Sequence, residues 1–160
     1  MATQDTGSFD RYDKAILRLL QTQGRMSNQD LAQEVGLSAS PCLRRVKALE
    51  DAGIITGYRA HLDAKKINLG LTALIQISMD KHTPERFEHF EKEIKAIPEI
   101  LECLLITGQT ADYLLKVVVK DLDEYQKLLL TQITKIQGVT GVHSSFVLNK
   151  VVDRSALPIA

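Results

Sequence analysis

Apolar residues return at helical spacing through the first third of the chain. From Asp10 onward, Tyr12, Ile16, Leu19 and Leu20 line one helical face and Gly24 closes the pattern, which predicts a first helix. Ser27-Asn28-Gln29-Asp30 then forms an S-x-x-D capping signature ahead of Leu31, Ala32 and Val35, with Gly36 suited to a left-handed exit. This second helix is short. A third follows at once in "GLSASPCLRRVKALEDAG", capped by Ser38, or by Ser40 with Pro41 at its first position. Cys42, Val46 and Leu49 give it an apolar face, Arg44 and Lys47 point away, and Arg45 lies on one flank.

After Gly53 the rhythm changes. "IITGYRAHLDAKKINLG" alternates and then turns polar, which predicts a strand or wing followed by a linker near Asp63 to Gly70. "LTALIQISMD" has Leu71, Ala73, Ile75, Ile77 and Met79 on one face, a strand with one fully apolar side. A helix over Pro84 to Ala96, with Phe87, Phe90, Ile94 and Ile97 at helical intervals, leads past Pro98 to a strand, "ILECLLIT". The order then repeats: "DYLLKVVVKD" as strand, Leu122 to Ile136 as a helix carrying Leu122, Tyr125, Leu129 and Ile133, and "VHSSFVLNKV" as the last strand. Each strand-helix-strand unit is too small to bury its own apolar face. In tandem they predict a ferredoxin-like α/β sandwich with both helices on one side of an antiparallel sheet. The fold class is α+β: three N-terminal helices in a helix-turn-helix arrangement, then a βαββαβ sandwich.

The open side of that sheet changes the picture of assembly. It carries Leu74, Leu104, Ile106, Leu114, Val118 and Val147 among Thr72, Gln76 and Lys116. Such a face is too apolar to stand in water as one patch, so a homodimer is the expected minimum.

Composition adds less. Of 160 residues 44% are hydrophobic, enough for one ordinary core or two small ones, and 20 basic residues balance 20 acidic ones, so any electrostatic footprint is local. Cys42 and Cys103 lie far apart and fit no C-x-x-C pairing, which suits buried thiols in a reducing compartment. The start "MATQDTGSFDRYDK" has no basic segment followed by an apolar run, and no stretch reaches the roughly 18 apolar residues of a membrane span. The expectation is a soluble, cytoplasmic protein. His61, His82, His89 and His143 show no metal-ligand spacing, and no nucleophile elbow or phosphate loop occurs. Neither a metal nor an enzymatic activity is expected.

The local footprint lies on the third helix. Serines and free backbone N–H groups at a helix N-terminus suit phosphate oxygens and base edges, and arginines further along reach guanine or the backbone. A charge run is more often a solvated face. What raises the nucleic-acid reading is the coincidence of turn, cap and basic helix. An RNA-binding sheet would need exposed rings on its central strands, for which only Tyr113 and Phe146 offer themselves. A metabolite sensor that never touches DNA leaves the helix-turn-helix unexplained.

The stretch "DRYDKAILRLLQTQGRMSNQDLAQEVGLSASPCLRRVKALEDAGIITGY" (10–58) and "ITGQTADYLLKV" (106–117), together with the doubled unit, resemble the Lrp/AsnC, or feast/famine, family of transcription regulators over nearly the whole chain. The resemblance implies a winged helix-turn-helix DNA-binding domain at 1–60, a hinge at 61–70 and an effector-binding, oligomerising domain at 71–160. It implies double-stranded DNA as partner, dimers that assemble further, often to octamers, and an amino-acid effector near dimer-dimer contacts, with no cofactor. On this reading DNA falls to Asn28, Gln29, Ser38, Ala39, Ser40, Pro41, Arg44, Arg45 and Lys47. The effector falls to Gly108, Gln109, Thr110, Ala111, Asp112 and Tyr113, with Ser144 and Ser145 of the last strand. The turn "GQTADY" is one residue longer than the family's G-x-x-D-Y form. Chemistry agrees in outline: Gly108 permits unusual backbone angles, Gln109 and Thr110 offer donors, and Asp112 can accept from an α-ammonium group.

Overall fold

The computed structural model describes residues 9–108 and 110–160. They group into two units, residues 9–61 with Val152–Ala160, and Leu62–Val151.

The first unit is built on three helices: α1 (Arg11–Thr22), α2 (Asn28–Val35) and α3 (Ala39–Asp51). Each start has a sequence cause. Asp10 caps α1 by accepting from the N–H groups of Tyr12 and Asp13 at 2.8 and 3.0 Å, and Ser27 caps α2 by accepting from Asp30 N–H at 3.1 Å. Gly36 ends α2 at φ 73°, ψ 38°, the left-handed geometry that lets the chain reverse into α3 within a few residues. Of the two starts open to α3, Ser38 is the N-cap, and Pro41 sits at the third helical position, where its missing N–H still leaves no intrahelical bond unmade. Ile16, Leu17, Leu31, Ala32, Cys42 and Leu49 form the buried core of this unit.

No strand forms between Gly53 and Gly70: the segment runs irregularly to a short 3-10 turn at Ala64–Ile67. The alternation there is real, but a strand needs a neighbour to take up its N–H and C=O groups, and this stretch has none. Ile55 packs on the helical core instead. The chain's last residues also depart from the sequence-based partition. Val152–Ala160 groups with the helical unit, because Ile159 packs on that core and α1 satisfies the tail's backbone. Arg18 donates twice to the Ile159 carbonyl at 3.1 Å, and Gln21 accepts from Leu157 N–H at 2.5 Å.

The second unit follows the doubled plan: β1 (Leu71–Met79), α4 (Pro84–Lys95), β2 (Ile100–Leu105), β3 (Tyr113–Val119), α5 (Leu122–Thr131) and β4 (Val139–Phe146). The sheet is antiparallel throughout its pairings, in the order β2-β3-β1-β4. Ala73, Ile75, Ile77, Tyr113, Leu115, Val117 and Val119 face α4 and α5, meeting Phe90, Ile94, Tyr125 and Leu128. Two details differ from the periodicity. The second helix stops at Thr131 and continues only as a 3-10 turn, Ile133–Lys135, and Leu128 rather than Leu122 fills the core position, Leu122 being exposed at the helix's first residue. β4 begins at Val139 and ends at Phe146, where pairing with β1 runs out.

Candidate functional site

On α3 the basic residues divide by what holds them. Arg45 is tied down: its Nη2 lies 2.8 Å from Asp10 Oδ2 and its Nη1 2.8 Å from Asp13 Oδ1, with the guanidinium 5.3 Å from the Tyr12 ring centre. It pins the start of α1 to the middle of α3. The N–H of Asp13, assisted by that of Tyr12 and by Arg45, holds the Asp10 carboxyl below the ordinary carboxylate range, against a smaller opposing effect of desolvation. A carboxyl with a lowered value stabilises the fold above the ordinary range and stops doing so as pH falls through the lowered one. Arg45→Ala is therefore expected to lower the melting temperature more at neutral pH than in acid, which calorimetry at the two conditions measures. An equal loss at both would count against the ion pairs as the cause.

Ser38, Ala39, Ser40, Arg44 and Lys47 are exposed, and Pro41 is half-buried. The Ser38 hydroxyl makes no capping bond, which leaves it and the first-turn N–H groups of α3 uncommitted. Gln29 is exposed on α2, whereas Asn28 bridges inward, donating from Nδ2 to the Ala39 carbonyl at 2.9 Å and so fixing the start of α3 against α2. The periodicity gives Leu43 no place. It is 57% exposed, standing with Ser40, Arg44 and Lys47 on the open face of α3. The signal was present: Leu43 falls outside the Cys42–Val46–Leu49 seam.

In the second unit the turn between β2 and β3 is fixed at both ends. Asp112 N–H donates to the Ile77 carbonyl at 2.8 Å, and the Asp112 carbonyl accepts from Ile106 N–H at 2.9 Å. The Asp112 carboxylate accepts from Met79 N–H at 2.7 Å through Oδ2, and its Oδ1 lies 2.7 Å from His82 Nε2. Gly108 takes φ 84°, exposed, with open space where a Cβ would stand. The Thr110 carbonyl accepts from Ser78 Oγ at 3.1 Å, and Ala111 is buried. Gln109 lies outside the described residues.

The remaining expected residues point elsewhere. Tyr113 is buried among the helices, against Phe90 at 4.6 Å between ring centres, and donates its hydroxyl to Glu91 at 3.1 Å. Burial, and then the Glu91 carboxylate, push that phenol far above its ordinary value. Ser144 pairs its hydroxyl with that of Tyr125 on the helix side, opposite Ile75, and Ser145 is exposed. Phe146 packs edge-on against Tyr125 with ring centres 5.0 Å apart. Neither ring sits as a stacking platform on the open sheet face. That face carries Leu74 and Leu104, 36% and 50% exposed, and the cross-strand pair Lys116–Glu102 at 2.5 Å, which accounts for an acidic residue in a strand. Among the described residues no group of three or more His, Cys, Asp or Glu is placed to hold a metal ion, and no helix is long and apolar enough to cross a membrane.

Residues 72–157 match the Lrp/AsnC ligand binding domain, and residues 9–56 match a winged helix-turn-helix DNA-binding domain. The chain belongs to the Lrp/AsnC family of transcription regulators. Its relatives agree over nearly full length. It is 45% identical to the Bkd operon transcriptional regulator of Pseudomonas aeruginosa over 151 residues, covering 94% of this chain and 98% of that one. It is 42% identical to the leucine-responsive regulatory protein of Haemophilus influenzae, covering 90% of this chain and 86% of that one. Among solved structures, a transcriptional regulator of Neisseria meningitidis in complex with L-Met superposes with a TM-score of 0.90 at 40% identity, covering 94% of this chain and 97% of that one. The Lrp/AsnC assignment covers both units.

Proposed function

We propose that this Lrp/AsnC protein reads duplex DNA with α3 and responds to an α-amino acid held at the turn from Gly108 to Asp112. The observation that carries the first half is the division of labour on α3. Arg45 is spent on Asp10 and Asp13, while Ser40, Leu43, Arg44 and Lys47 stand open on the face away from the core. A helix with one side committed to its own domain and the other lined with phosphate- and base-seeking groups fits a major groove. Arg44 is the candidate for a guanine edge and Lys47 for the backbone. Leu43 is the candidate for a thymine methyl, and Ser38 to Pro41 lie closest to the phosphates.

The second half rests on Asp112. A carboxylate with one oxygen fixed by a backbone N–H and the other facing a replaceable donor is suited to an α-ammonium group. The L-Met complex of the Neisseria relative and the leucine response of the Haemophilus one make apolar amino acids the first candidates. Dimerisation through the face carrying Leu74 and Leu104, with dimers assembling further, would bring two α3 helices to one operator. The ligand acts on DNA only through unequal affinity for different arrangements of the dimers.

The test uses duplexes selected by the full chain from a randomised pool, with fluorescence anisotropy in the presence and absence of L-leucine and L-methionine. Retention of duplex in preference to single-stranded RNA, and a shift in affinity with one amino acid, is the expected result. Indifference to duplex at low salt would end the DNA reading.

A further inference from the structure

Asp112 is held at four points, and one of the holders is an exposed side chain. Its N–H and carbonyl are locked to Ile77 and Ile106, and its Oδ2 to Met79 N–H, all bonds to backbone partners of 2.7 to 2.9 Å. The fourth holder is the His82 imidazole, 2.7 Å from Oδ1. His82 lies in the short connection between β1 and α4, and its side chain is 67% exposed, against 18% for Asp112. Its nearest ring is Phe87, with centres 6.0 Å apart. Arg86, in the first turn of α4, is committed to Asp80 through two contacts of 2.9 and 3.2 Å. The carboxylate is thus held by backbone groups, and one exposed N–H donor sits on the oxygen that a ligand would use.

We propose that His82 is an internal stand-in for the effector's α-ammonium group, so that an amino acid binds by displacing the imidazole from Asp112 Oδ1. The inference rests on the reading of the Asp112 carboxylate as the effector's anchor and adds how that anchor is regulated. An imidazole N–H and an ammonium N–H are both donors that a carboxylate oxygen accepts, and with Oδ2 bonded to Met79 N–H the imidazole on Oδ1 stands where an ammonium group would approach. With His82 in place only the fraction of molecules in which the ring has swung out is competent to bind, which weakens the apparent affinity by that fraction. A ligand without an α-ammonium has nothing to offer Oδ1 and gains nothing from the displacement. Release of His82 also frees the β1–α4 connection from the turn, just ahead of Pro84 at the start of α4. The site therefore reports occupancy through a contact of its own.

Calorimetric titration of the full chain with L-leucine, L-methionine and 4-methylpentanoate, which lacks the ammonium, tests this. His82→Ala is expected to tighten binding of the amino acids by roughly two- to fivefold, the scale of losing one exposed hydrogen bond. It should leave 4-methylpentanoate unchanged, and Asp112→Asn should abolish amino-acid binding. As a check independent of affinity, the His82 ring signals, assigned by their loss in His82→Gln, should move on adding the amino acid to the wild-type chain. Binding abolished by Asp112→Asn but unchanged or weakened by His82→Ala overturns the inference and leaves the effector site standing. Binding indifferent to Asp112→Asn, or absent for both amino acids in wild type and His82→Ala alike, overturns the site and the inference together.

Discussion

Arg44→Ala is expected to weaken binding of a selected duplex by ~1–3 kcal/mol for each helix that loses a bidentate contact to guanine. In a dimer with two helices on the operator the loss counts twice, so this single substitution has the largest expected effect on function. The argument is one of availability. Arg44 is exposed on the open face of α3, whereas its neighbour Arg45 already spends its guanidinium on Asp10 and Asp13. Lys47→Ala should behave differently, lowering affinity for all sequences alike and flattening the salt dependence, since a phosphate contact carries no base information. The apolar member of the same face has its own diagnostic. Replacing operator thymines by deoxyuridine removes only a methyl group, and a Leu43→Ala protein should be blind to a replacement that weakens wild type. If Arg44→Ala binds its selected duplex as tightly as wild type, α3 does not read bases through this residue.

Phe90→Ala is expected to destabilise the second unit by ~3–5 kcal/mol, the usual range for emptying a fully buried aromatic position. Phe90 has no solvent exposure and stacks at a tilt on Tyr113, which is itself buried under α4 and edge-on to Phe87. The void would open beneath α4 and beside β3, the strand that follows the turn proposed to hold the effector, so loss of stability and loss of ligand response should appear together. Urea unfolding of the full chain by far-UV circular dichroism measures the first. A change below about 1 kcal/mol would mean that the site collapses around the missing ring. Phe90→Leu, which conserves most of the volume, should lose far less.

Much of this protein is legible along the chain because its signals are local. Ser27 and Gly36 place the start and the end of α2 through capping and left-handed geometry that depend on a few neighbouring residues. The alternation in β1, with Ala73, Ile75, Ile77 and Met79 inward, survives into the fold because one buried face fixes the register. Failures occur where a segment's state depends on something distant. The alternating stretch after Gly53 finds no strand partner and stays irregular. The C-terminal tail, apolar but without rhythm, is drawn to Arg18, Gln21 and the helical core. Leu122 and Leu128 both fit a helical stripe, and only the position of the sheet decides that Leu128 is the buried one.

The candidate sites divide the same way. That α3 is basic and begins with serines is written in the residues. Which arginine is free is not, since it depends on α1 bringing Asp10 and Asp13 to Arg45 across 32 or more positions of sequence. Asp112 in a glycine-containing turn is visible at once, while its pairing with His82, thirty residues earlier, exists only because β1 and β3 lie side by side and set their ends together. By itself, then, the sequence determined most of the helices and strands, their doubled order and the residue types that stand on α3 and in the turn before β3, all of which follow from periodicity and short-range capping. Tertiary structure alone decided which of those side chains are already occupied, because a charge is satisfied by whatever the fold places within hydrogen-bond reach, whatever its distance along the chain.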